Sequence, residues 1–151
     1  MFLLLLAGSA EAAAPVPSAR VESVDRLMEV LLLRIGGEEG EEIRARLGPP
    51  LRIQPLVGTA EVWIYPGLWI HRRDGRIDSI QIEDGRTEIP LEGGTLRAGD
   101  PAAALIRLLG RPNEAWGPDY RSYRGSGERW IQFRLRPDGR IRSIQAVYRI
   151  L

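Results

Sequence analysis

The sequence contains no cysteine, which removes disulfides, thiolate metal sites and a cysteine nucleophile together, in any redox compartment. Lysine is missing as well: all 21 basic residues are arginine, set against 20 acidic ones for a formal net charge of +1. Arginine suits bidentate recognition of carboxylate and phosphate, but the wholesale exclusion of lysine is read as genomic codon bias. A single histidine, His71, rules out a two-histidine metal site and is the one residue around which a Ser-His-Asp triad would have to be built. No nucleophile signature of the G-x-S-x-G kind lies near it. A nearly neutral chain without a docking motif is also a poor nucleic-acid binder.

What is present is an ordinary globular balance, 44% hydrophobic and 27% charged over 151 residues, enough for one compact domain or two closely packed halves. The N-terminus runs from Phe2 through Leu6 into Gly8, Ser9 and Ala10, and Ala10 and Ala12 form an A-x-A site with cleavage before Ala13. This resembles a secretory leader over residues 1–12, although no positive charge precedes the apolar run, and it places the chain in the periplasm or outside the cell. Nothing further along approaches the roughly 18 apolar residues of a membrane-spanning helix.

Self-comparison is the most informative operation. Asp74-Gly75-Arg76-Ile77-Asp78-Ser79-Ile80-Gln81 returns as Asp138-Gly139-Arg140-Ile141-Arg142-Ser143-Ile144-Gln145, 64 positions later with one difference. Leu47-Gly48-Pro49-Pro50 likewise corresponds to Leu109-Gly110-Arg111-Pro112, and Trp69-Ile70 to Trp130-Ile131. The expected architecture is therefore α+β: two tandem units of helix plus antiparallel strands, 35–90 and 91–151, with helices on one face of the sheet. A linker and amphipathic helix over 13–34 precede them.

The local signals are specific. Val21, Val24, Met28, Leu31 and Ile35 recur at spacings of three and four, giving a helix from about Ser18 to Leu33, with a strand over Val30 to Leu33 as the competing reading. Asp100 is placed as N-cap with Pro101 at the first helical position, and Gly110 and Pro112 end that helix. Before the first unit's helix, Glu38, Glu39, Glu41 and Glu42 complement the helix dipole. Strands are expected over 61–65, 68–72 and 76–82, with a bulge after each D-G turn to explain the phase slip between Ile77 and Ile80.

Glycine before a short helix, Leu-Gly-x-Pro after it, aromatic strands and a D-G-R hairpin together resemble the SmpA/OmlA (BamE) and beta-lactamase-inhibitor-protein-like (BLIP-like) family of envelope proteins. The resemblance covers residues 35–83 and 95–149 on Gly37, Gly48, Pro50, Tyr65 and Asp74-Gly75, and on Gly99, Gly110, Pro112, Tyr123 and Asp138-Gly139. These are structural positions. The resemblance implies helices over one face of an antiparallel sheet, no catalysis, and partners held on the open face or loops; no cofactor is expected. Ser9 stands where an acylated lipobox cysteine would be, so a lipid anchor is not implied.

Strand alternation sends Val62, Ile64, Leu68 and Ile70 to one expected face and Trp63, Tyr65, Trp69 and His71 to the other. In the second unit Trp130 and Arg134 oppose Ile131 and Phe133. Large rings left in water forgo a few kcal/mol of burial each, at about 25 cal/mol per Å², and Trp, Tyr and Arg dominate binding hot spots. Trp63, Tyr65, Trp69, His71, Trp130 and Arg134 are therefore the expected partner surface, unless a helix or the other unit buries the face and the rings serve as cross-strand pairs. The reading that follows is a non-catalytic exported module that binds a protein through an aromatic and arginine face, with no metal and no nucleic acid. The alternative is a small ligand or an anionic envelope polymer held in a groove between the units. Residues 121–151 hold eight arginines against Glu128 and Asp138, while residues 38–42 hold four glutamates, an asymmetry able to steer an acidic partner.

Overall fold

The structure is a computed structural model that describes residues 15–149, so the expected leader lies outside the described residues. It is α+β, and its first helix, α1 (Val21–Ile35), buries Val24, Leu27, Met28, Leu31 and Ile35 along one stripe and ends on Gly36 with φ at +106°. The helix reading of this segment thus holds over the strand alternative, although Val21 is 44% exposed. A short α2 (Gly40–Leu47) follows, then β1 (Arg52–Pro55), β2 (Glu61–Tyr65), β3 (Leu68–Arg73) and β4 (Arg76–Ile82). After a small hairpin of β5 (Ile89–Leu91) and β6 (Gly94–Leu96) come α3 (Ala103–Leu109), β7 (Glu114–Trp116), β8 (Tyr120–Arg124), β9 (Trp130–Leu135) and β10 (Ile141–Val147).

The expected pair of tandem helix-plus-strand units is corrected by the sheet. Eight strands form one antiparallel sheet in the order β1-β2-β3-β4-β10-β9-β8-β7. β4 and β10 pair directly at its centre, Gln81 opposite Gln145 and Ile80 opposite Ala146, so the two D-G-R-I-x-S-I-Q segments are neighbours in one layer. The physical reason is burial. Ile70, Ile80, Ala146, Ile131 and Phe133 are fully covered on a single face, and they pack into one core with Leu27, Met28 and Leu31 of α1 and Leu105 of α3. A single core, to which all three helices contribute, serves both stretches of strand, and the expected break between residues 90 and 91 falls inside β5.

The turns follow from their residues. Asp74 (φ +52°) and Gly75 (φ +72°) occupy the two left-handed positions of a two-residue hairpin between the paired Arg73 and Arg76, the backbone an Asp-Gly dipeptide accepts most readily. The expected bulges are present: register shifts occur between His71 and Arg72 against β4, and between Ile141 and Ser143 against β9. The capping expected at Asp100 is corrected. Its carbonyl accepts the N–H of Ile141 and its carboxylate accepts that of Arg97, and Pro101 bridges to Arg140, so the helix starts later, at Ala103.

Candidate functional site

The β2–β3 hairpin decides which aromatic residues are available. Its loop, Pro66-Gly67, places Tyr65 opposite Leu68, Trp63 opposite Ile70 and Ile64 opposite Trp69. Directly paired residues share a face, so Trp63 and Tyr65 lie with Ile70 on the covered side, whereas Trp69 and His71 lie with Val62 and Ile64 on the open side. The expected six-residue surface is corrected accordingly. Trp63 is 4% exposed and Tyr65 7% exposed; the Trp63 ring sits between the guanidinium groups of Arg44 and Arg72, 4.9 and 4.7 Å from its centre. These cation–π contacts, and the indole N–H donated to Glu61 at 2.8 Å, give it a structural occupation.

The glycine positions have local jobs. The hydroxyl of Tyr65 donates to the carbonyl of Gly48 at 2.9 Å, and that of Tyr123 to the carbonyl of Gly110 at 3.0 Å. Each bond holds the end of a short helix against the sheet, with Pro50 and Pro112 following as the chain leaves it. Gly37 donates to the carbonyl of Leu32, Gly99 to that of Ile141, and Gly139 closes the turn to Arg136.

The open face carries Trp69, His71, Trp130 and Arg134 of the expected set, joined by residues the sequence reading left out. One row across five adjacent strands reads Ile64, Trp69, Gln81, Gln145 and Gln132. The next reads Val62, His71, Ser79, Val147 and Trp130, and a third brings Ser143, Arg134, Tyr120 and Trp116 into line. Trp116 and Tyr120 lie 5.8 Å apart, tilted at 41°. Alternation within β8, where Tyr120, Ser122 and Arg124 point one way, was the signal available for this part of the face.

Trp130 divides the surface into two clefts. On one side, a hollow of about 390 Å³ runs between Trp130 and Trp116, with Tyr120, Gln132, Arg124 and Glu128 in its walls. On the other, a hollow of about 360 Å³ is lined by His71, Asp78, Ser79, Val147 and Leu56. Both fall in the size range of ligand pockets. Among the described residues the buried indole N–H of Trp130 has no hydrogen-bond partner, an uncompensated donor at the wall between them. A third, polar hollow of about 250 Å³ lies over the centre of the sheet among Gln81, Gln132, Gln145, Arg134 and Arg142. β4 and β10 are hydrogen-bonded neighbours, so no groove separates the two stretches of sheet; the hollows lie on the face above them.

Burial lowers the affinity of His71 for a proton below the usual imidazole value, while Asp78 pulls the other way; the ring is therefore a neutral donor and acceptor near pH 7. It stands opposite Ser79, but among the described residues no hydrogen bond joins it to Ser79 or Asp78, and no cluster of three or more metal-ligating side chains occurs. Tyr120 is raised by burial, against the charge of Arg134 beside it. What the face offers is stacking surface, amide donors and acceptors, and guanidinium groups.

No protein-family model matches the sequence, and no curated protein does. Solved structures do. The chain is similar to an extracellular protein containing a SCP domain from Bacillus anthracis str. Ames, at 14% identity and a TM-score of 0.55, covering 91% of this chain and 49% of that one. A cysteine-rich secretory protein from Staphylococcus aureus subsp. aureus Mu50 aligns at 9% identity and a TM-score of 0.58, over 78% of this chain and 44% of its own. A DUF4309 family protein (YjgB) from Bacillus subtilis subsp. subtilis str. 168 aligns at 15% identity and a TM-score of 0.49, over 85% and 97%. The chain thus spans about half the length of the first two, and at these identities the likeness is one of fold. The fold likeness to the first two overturns the resemblance to SmpA/OmlA (BamE) and BLIP-like proteins, since neither is of that kind. That resemblance rested on glycines, prolines and a D-G-R turn, which report helix ends and tight hairpins and recur wherever those occur.

Proposed function

We propose that this protein is a non-catalytic exported binding module that holds an elongated ligand across the open face of its sheet. The observation that carries the reading is Trp130, an aromatic partition between two clefts, whose buried indole N–H has no partner among the described residues. A ligand lying over it would supply stacking partners on both sides. Export is supported by the leader-like residues 1–12 and by the extracellular and secretory character of the first two structural relatives. The absence of catalysis is supported by the lone histidine, which among the described residues bonds no nucleophile.

A second reading, a folded protein partner docked on the same face, is favoured by the corner where Leu56 and Val57 are 45% and 92% exposed beside the His71 cleft. The test is a crosslinking pull-down from envelope extract, with a Trp69→Ala/Trp130→Ala double variant checked for folding by circular dichroism. Loss of specific capture in the folded variant supports the open face as the site, and the captured species distinguishes polymer from protein. Unchanged capture would move the site elsewhere.

A further inference from the structure

Resting on the open-face reading, we propose that the ligand is a carboxylate-bearing polysaccharide, its acid group taken by Arg134 and Arg142 and its sugar rings laid over the flanking indoles. Arg134 lies in β9 opposite Ser143, and the register shift between Ile141 and Ser143 puts Arg142 at the bulge beside it. Both side chains are exposed, and among the described residues neither guanidinium has a hydrogen bond or a carboxylate within 4.0 Å. Other arginines, among them Arg73, Arg124 and Arg149, have an acidic partner; Arg134 and Arg142 are two of those without one that line the same hollow. Two unpaired cations at the rim of one hollow are matched to a bidentate acid.

The floor of that hollow argues for a sugar. Gln81, Gln145 and Gln132 stand side by side on adjacent strands, and each amide both donates and accepts, the requirement for reading hydroxyl groups that do both. The acidic residue in the lining, Glu83, is engaged by the amide of Gln81 at 2.8 Å. Exposed indoles flank the strip: Trp69 on β3, 39% exposed, in the glutamine row, and Trp116 on β7, 65% exposed, in the neighbouring row with Tyr120 and Arg134. They are five strand spacings apart in the sheet order, or about 24 Å at the usual spacing, the reach of a chain of several sugar rings. A folded protein partner would be expected to meet a more apolar centre than a row of glutamines.

Isothermal titration of the full chain with an oligogalacturonate, its methyl ester and polyglutamate tests this. The acid form is expected to bind, and the ester about tenfold more weakly, the loss of a charge-assisted pair. The R134Q/R142Q variant, folded by circular dichroism, should bind the acid as weakly as the wild-type chain binds the ester. Equal affinity for acid and ester, abolished by Trp130→Ala, overturns the carboxylate inference while leaving the open face as the site. Preference for polyglutamate, lost in R134Q/R142Q, replaces the glycan with an acidic peptide. No binding by any probe overturns the inference, and the pull-down then decides the wider reading on its own.

Discussion

The hydroxyl of Tyr148 donates a 2.6 Å hydrogen bond to the backbone carbonyl of Met28, 120 residues earlier in the chain. The bond ties the chain just beyond β10 to the middle of α1, with both side chains in the core. Replacing Tyr148 with Phe keeps the ring and removes the bond, so the expected loss is about 1 kcal/mol. Urea denaturation with an unchanged slope and a lower midpoint measures it.

Two tryptophans on one hairpin should behave differently. Trp63→Ala opens a cavity between Arg44 and Arg72 and should cost about 3–5 kcal/mol. Trp69→Ala, on the open face, should cost less, about 1 kcal/mol. Comparable losses by thermal unfolding would contradict the register-based assignment of faces.

Stability should fall at alkaline pH. Burial lifts Tyr123 from 10.0 to about 12, and burial pushes Tyr148 further in the same direction. The unfolded chain releases these protons near pH 10 while the folded chain retains them, so the unfolded state binds fewer protons in that window. Stability is then fully present below about pH 10 and declines as pH rises toward 12 and beyond. Urea midpoints at about pH 8 and about pH 11 should differ in that sense, and Tyr148→Phe should reduce the difference.

His71 acts at the other end of the scale. Its folded-state pKa lies below 6.5 because burial disfavours the charged ring, so its contribution is present above the unfolded value and is lost as pH falls through the folded one. The NMR titration of its ring protons should show a midpoint under 6.5, and His71→Gln should flatten the acid side of the stability profile. A midpoint above 6.5 would contradict the buried environment.

Gly110 tests the fit at the end of α3. Its φ is +92°, and a β-carbon there would stand 2.8 Å from the carbonyl oxygen of Pro17. Gly110→Ala should therefore cost about 1–3 kcal/mol through backbone strain and displacement of the segment before α1, read as a lower melting temperature.

Most local structure was legible. The expected strands 61–65 and 76–82 coincide with β2 and β4, because Val62, Ile64, Ile77 and Ile80 sit between unambiguous turn residues. The bulges were legible from the slip between Ile77 and Ile80. What escaped was relational. Alternation within a strand says which residues lie together but not which face of the neighbouring strand they meet; the two-residue Pro66-Gly67 loop sets that, and it put Trp63 with Ile70 rather than with Trp69. Nor does a repeated segment say whether its copies form separate units or share a sheet, since that depends on the pairing of β4 with β10. The sites of Trp116 and Tyr120 were missed because β7 and β8 are short and polar, with little apolar pattern to mark them.

The central pairing of β4 with β10 also sets the order of assembly. Gln81 meets Gln145, 64 positions later, so the ladder at the heart of the sheet closes a long loop, a contact that slows folding. During synthesis β4 stands with one edge unsatisfied until β10 has emerged. That edge is a template for any passing strand. Under the proposed reading of an exported module such a delay is a gain, because a chain unable to complete its sheet before β10 arrives stays unfolded, and so threadable, while the intervening residues are made.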